Sequence, residues 1–190
     1  MIKNHRFRPQ QGFTLIEMVV GIGVISILIF ALLNLYLAYG SLYTFQNAKL
    51  TTIAEGRVTM SDFTLFTIQA HRVIGSFTFT TTTYYSGTST IILQIPAMTS
   101  GGSIISNVWD YVVFYTSGAN LYRKTQADEA SSRTSGTKLL TSNLQSLIFA
   151  YDNADLTLAQ KVSIDLNLQK QDVKYTAASH LTEQLILRNF

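Results

Sequence analysis

The chain has 190 residues, of which 47% are hydrophobic, 12% aromatic and only 13% charged. The charged share is about half that of ordinary soluble domains, and the hydrophobic share excludes a disordered polyelectrolyte. Fourteen bases against eleven acids give a net charge of +3, but Lys3, Arg6 and Arg8 all fall in the first twelve residues and the remainder is neutral. A neutral body offers no electrostatic footprint for a phosphate backbone, so no nucleic-acid partner is expected of it. The absence of cysteine excludes disulfides, thiolate metal sites and a cysteine nucleophile.

Residues 1–12, MIKNHRFRPQQG, are basic and polar. An apolar segment follows, with no charged residue from 18 to 48 and no proline to interrupt it. Its strongest part, 18–39, is 22 residues long. As a helix it spans roughly 33 Å at ~1.5 Å per residue, against a hydrocarbon core about 30 Å thick. It can cross a bilayer. The bases precede it, so the positive-inside rule places the N-terminus in the cytoplasm and the body outside. A cleaved secretory signal fits less well, because such apolar regions are shorter and Ala38-Tyr39-Gly40 is a poor small-x-small cut site. One carboxylate, Glu17, sits five residues into the run. Near the end of a membrane helix it costs about 1–3 kcal/mol unless it finds a partner or the interface.

Gln11-Gly12-Phe13-Thr14-Leu15-Ile16-Glu17 resembles the prepilin leader-peptidase motif of the type IV pilin superfamily. The resemblance rests on a short basic leader, glycine, phenylalanine, glutamate at the fifth mature position and the apolar helix behind it. It implies cleavage by a membrane aspartyl prepilin peptidase between Gly12 and Phe13, and N-methylation of the new amine of Phe13. It also gives Glu17 an assembly role, pairing with the Phe13 ammonium of a neighbouring subunit in a helical filament. Either charge alone in an apolar filament centre would cost several kcal/mol. Gly21 and Gly23 permit close helix approach or are simply tolerated. The stretch Leu33-Asn34-Leu35 lacks the proline often present in polymer-forming pilins, which favours a minor subunit.

Beyond residue 48 the helix is expected to continue. Leu50, Ile53, Met60, Phe63, Phe66, Ala70, Val73 and Phe77 recur at helical spacing and form a candidate core stripe. The pattern predicts a helix to about Ile74, ending at Gly75-Ser76, with a bend near Gly56. Strands are then predicted at 77–85, with a hairpin turn at 86–88, and at 90–95, stopped by Pro96. Further strands are predicted at 108–116, 121–124, 139–140, 144–151, 161–168 and 181–187, with loops at 98–103 and 125–137. Short strands with close turns indicate antiparallel sheet. The expected organisation is a cleaved leader 1–12, a hydrophobic transmembrane and assembly helix 13–48, an amphipathic helix 49–75 and an antiparallel β head 76–190. The fold class is α+β, and the resemblance makes it pilin-like.

The block Ser89–Pro96, then Asp110-Tyr111-Val112-Val113-Phe114-Tyr115, Asn120-Leu121-Tyr122-Arg123-Lys124 and the ending Leu185-Ile186-Leu187-Arg188-Asn189 resemble the heads of J-type minor pseudopilins and W-type minor pilins. The C-terminal disulfide common in pilin heads has no counterpart here. No Walker-type loop, dinucleotide fingerprint or nucleophile elbow is present. His180 reads as a surface residue in a turn before the last strand. Asp152-Asn153-Ala154-Asp155 could offer oxygens to calcium, but a tight turn accounts for it better. Tyr84, Tyr85 and Trp109 have no basic groove beside them. No catalytic residue, cofactor or metal is expected.

The resulting expectation is a non-enzymatic minor subunit of a type IV filament or type II secretion pseudopilus. Its partners are prepilin peptidase, other pilins or pseudopilins and the membrane. It starts single-pass in the cytoplasmic membrane, with the head periplasmic or extracellular, and is part of the filament after assembly. The alternatives are a major type IV pilin and a signal-anchored extracellular binding module.

Overall fold

The computed structural model describes residues 12–171 and 175–188. The chain divides into two compact units, 1–44 and 45–190.

A single helix, α1 (Leu15–Ile68), runs out of the first unit into the second. In the first unit its large apolar side chains are all exposed, from Leu15 to Tyr43. Four short polar side chains of this stretch, Ser26, Asn34, Ser41 and Thr44, bond their own backbone. Ser26 Oγ donates to Ile22 O at 2.8 Å, Asn34 Nδ2 to Phe30 O at 2.9 Å and Thr44 Oγ1 to Gly40 O at 3.0 Å. Short polar side chains satisfied in this way suit an apolar surround.

Among the described residues, the second unit holds the last turns of α1, ten strands and a 3-10 turn, Leu156–Leu158. A five-stranded antiparallel sheet has the order β1-β4-β5-β6-β7, built from β1 (Arg72–Val73), β4 (Ile91–Met98), β5 (Ile104–Ser117), β6 (Asn120–Gln126) and β7 (Gly136–Thr141). A three-stranded antiparallel sheet has the order β10-β9-β8, from β8 (Leu144–Tyr151), β9 (Lys161–Gln171) and β10 (Thr176–Ile186). A separate hairpin pairs β2 (Ser76–Phe79) with β3 (Thr82–Tyr85). The architecture is mixed α+β, a long N-terminal helix with antiparallel sheets, consistent with a pilin-like fold.

Phe63 of α1 is the centre of the core. Its ring lies 4.4 Å from Phe114 of β5 and 5.5 Å from Phe149 of β8, so one helix residue touches both sheets. Ile91, Leu93 and Ile95 share this cluster, whereas Ile92 and Val113 belong to a second one under the hairpin, with Phe79, Phe77, Tyr84, Tyr111 and Tyr115. Strand β4 is buried on both faces. That follows from its continuous apolar run and the two-residue side-chain period.

Several sequence expectations need correction. α1 ends at Ile68, not near Ile74. Arg72 and Val73 instead pair with Gln94 and Leu93, so tertiary strand pairing overrides the helical spacing, and Ala70 and Val73 reach the core from beyond the end of the helix. The stripe is only partly right. Met60 and Phe63 are buried, but Leu50 is exposed, and Thr52, Gly56, Thr59 and Thr67 take the buried face. Small side chains let the helix approach the sheet closely. A Cβ on Gly56 would lie 2.5 Å from Leu181 Cδ1, which gives that glycine a packing reason. The hairpin turns at Thr80-Thr81 rather than 86–88, and β4 passes through Pro96 to Met98. Strands β5, β6, β9 and β10 are longer than predicted, and His180 lies inside β10, not in a turn before it.

Candidate functional site

Lys3, His5, Arg6, Arg8 and Gln11 lie outside the described residues. Gly12, Phe13 and Thr14 precede the helix in non-helical backbone and are exposed, Phe13 by 84%. The Gly12-Phe13 bond thus lies in accessible, non-helical backbone ahead of the helix start.

Thr14 and Glu17 form a capping box. The Thr14 amide donates to Glu17 Oε2 at 2.9 Å, Thr14 Oγ1 donates to the same oxygen at 2.8 Å, and the Glu17 amide donates back to Thr14 Oγ1 at 3.3 Å. Two of the unpaired amides at the helix start are thereby satisfied. The signal is legible as Thr-x-x-Glu before an apolar run, and this cap comes in addition to the pairing with a neighbouring Phe13 ammonium expected of Glu17. Both partners lie after the Gly12-Phe13 bond, so cleavage there leaves the box intact. Glu17 Oε1 has no partner among the described residues. Gly21 and Gly23 have open space where a Cβ would stand.

The structure does not assemble a catalytic site from the other candidates. His180 Nε2 lies 3.0 Å from Asp165 Oδ2 on the exposed face of the β9–β10 pair, and no hydroxyl bonds its other ring nitrogen among the described residues. His71 packs on Trp109, ring centroids 4.8 Å apart. In the 152–155 loop the carboxylates are taken by the chain itself. Asp152 Oδ1 accepts from the Gln160 and Lys161 amides at 3.0 and 3.1 Å, and Asp155 Oδ1 accepts from the Thr157 amide and hydroxyl at 3.0 and 2.7 Å. These bonds hold both carboxyls below the ordinary aspartate range, chiefly through the Lys161 amide for Asp152 and the Thr157 hydroxyl for Asp155. No group of three metal-ligating side chains occurs among the described residues. Tyr84 belongs to the hairpin's aromatic cluster. It leans on Tyr115, whose hydroxyl is pushed up to about 12 by burial and then by its bond to Tyr84.

The apolar helix and its N-terminal box therefore carry the chemistry. Residues 7–33 match the family model of the prokaryotic N-terminal methylation motif. The chain thus carries the type IV pilin-type motif at the head of a long apolar helix. That motif supports a pilin-like substrate of prepilin peptidase, implies assembly with other pilins and marks a structural rather than an enzymatic family. Helix and motif together are consistent with membrane anchoring. No curated protein and no solved structure matches the chain.

Proposed function

We propose that this chain is a minor, non-enzymatic subunit of a type IV filament or type II secretion pseudopilus. The precursor sits in the cytoplasmic membrane with its leader inside and its β head outside. Prepilin peptidase cleaves between Gly12 and Phe13 and methylates Phe13. The mature subunit then assembles through α1. The observation that carries the reading is the methylation motif at 7–33 opening a helix whose first half buries none of its apolar side chains. The unbroken course of α1 through Leu33-Asn34-Leu35 supports the minor over the major subunit.

Magnitudes favour an assembly role for Glu17 beyond capping. A cap is worth roughly 1 kcal/mol, whereas an unpaired carboxylate in an apolar filament centre costs several. The box cannot offset that burial alone. A neighbour's Phe13 ammonium at Oε1 can, and it fixes the axial register at the same time. Mass spectrometry of the protein from its native membrane tests the proposal. The expected N-terminus is N-methyl-Phe13. A retained Met1, or a cut near Gly40, would instead identify a signal-anchored module.

A further inference from the structure

The first three of the chain's ten tyrosines, Tyr36, Tyr39 and Tyr43, stand together on α1. Their spacing of three and four residues puts them on one helix face. They are 76%, 70% and 67% exposed, and their hydroxyls make no hydrogen bond among the described residues. Before them the helix offers only Glu17, Ser26 and Asn34 as polar side chains, the last two bonded to their own backbone. After them come Thr44, Gln46, Asn47 and Lys49. The tyrosines therefore mark the place where an apolar helix turns polar.

We propose that Tyr36, Tyr39 and Tyr43 form an interfacial anchor that seats the precursor in the outer headgroup layer of the bilayer and fixes its depth. The inference rests on the membrane stage proposed above. Nineteen residues separate Glu17 from Tyr36 and 22 separate it from Tyr39, or roughly 28 and 33 Å along a helix. The hydrocarbon core is about 30 Å thick. With the Thr14-Glu17 box at the inner boundary, Tyr36 and Tyr39 meet the outer one, and Tyr43 lies a turn beyond, among headgroups. Tyrosine suits that layer because its ring is apolar and its hydroxyl wants water. The hydroxyls left unbonded by the chain would find lipid headgroups and water there.

The absence of cysteine makes a direct test clean. Single cysteines replace Ile25, Leu33, Leu42 or Gln46 in the full chain, which is placed in nanodiscs of phosphatidylethanolamine and phosphatidylglycerol. A membrane-impermeant maleimide then reports water access. Leu33→Cys is expected to label at least about tenfold more slowly than Leu42→Cys and Gln46→Cys, because hydrocarbon excludes water and the charged reagent. Replacing all three tyrosines with leucine lengthens the apolar run, so position 42 should become protected while 46 stays reactive. A border that does not move in the leucine variant, or that lies beyond 46 in the parent, overturns the anchor. Rapid labelling at position 25 would instead overturn the membrane stage itself.

Discussion

Glu17 carries two demands that a single substitution can separate. Its carboxylate caps α1 through Thr14, and in the proposed filament its charge meets the Phe13 ammonium of the next subunit. Glutamine serves a capping box as well as glutamate does, but it brings no charge. Glu17→Gln should leave processing and helix content unchanged and still impair incorporation into filaments, measured by sedimentation of sheared material. Glu17→Ala loses both roles and should be processed yet assemble poorly. Normal assembly of the glutamine variant would reduce Glu17 to a cap. A second residue, Thr80, carries backbone strain. Thr80 opens the two-residue turn of the β2–β3 hairpin at φ 57°, where a β-branched side chain is disfavoured and glycine is the preferred residue. Thr80→Gly should stabilise the protein by about 1 kcal/mol. Thr81→Gly, at ordinary backbone angles, should destabilise it; thermal unfolding of the two variants reads the sign.

At the scale of elements, helix and sheets are tied by polar contacts around the apolar centre. Asp62 of α1 accepts from Arg123 of β6 at 2.9 Å and from Lys138 of β7 at 3.2 Å, while Glu55 accepts from Thr141 and Asn143 at 3.1 and 2.8 Å. The buried exception is Asp110 of β5. It receives the Asp128 amide, the Ser131 hydroxyl and Arg133 Nη1 at 2.8, 2.7 and 2.8 Å, and Arg133 also bonds Pro96 O and Gln69 Oε1. One fully buried carboxylate thus pins the polar loop between β6 and β7. Asp110→Ala strands the Arg133 charge and should cost about 3 kcal/mol. Denaturant unfolding measures it, and a loss below ~1 kcal/mol, the scale of an exposed pair, would show that the loop is not held this way. The sequence could not reveal this clamp, because Asp110 and Arg133 meet only after β4, β5 and the loop have converged. Local patterns fared better. The strand at 144–151 is where alternation puts it, and Gly118 turns the chain at φ 59° in the gap between the strands predicted at 108–116 and 121–124. The end of α1 was missed because residues 70 and 73 satisfy helical spacing and strand burial alike. Thr52, Gly56 and Thr59 were missed because small residues on a buried face resemble a solvated one.

For the whole molecule, the two units differ in what their surfaces can bear. Residues 13–44 display an apolar surface far larger than a soluble monomer tolerates, so they need lipid, detergent or other subunits. Residues 45–190 have their own core, in which Phe63 of α1 touches both sheets, with Met60 and Phe66 beside it in the same cluster. Phe45 itself packs on Tyr175 at 5.6 Å, so the second unit begins with an anchored residue. A chain starting at Phe45 should therefore be soluble without detergent, monomeric, and unfold in one cooperative transition. Phe63→Ala within it should cost about 3–5 kcal/mol, since the cavity would open between two sheets that meet on that ring. Circular dichroism with size-exclusion chromatography measures the first expectation and urea titration the second. A truncated chain that binds hydrophobic dyes and lacks near-ultraviolet dichroism would show that the head draws its order from the apolar half of the helix, and the division into two units would fall.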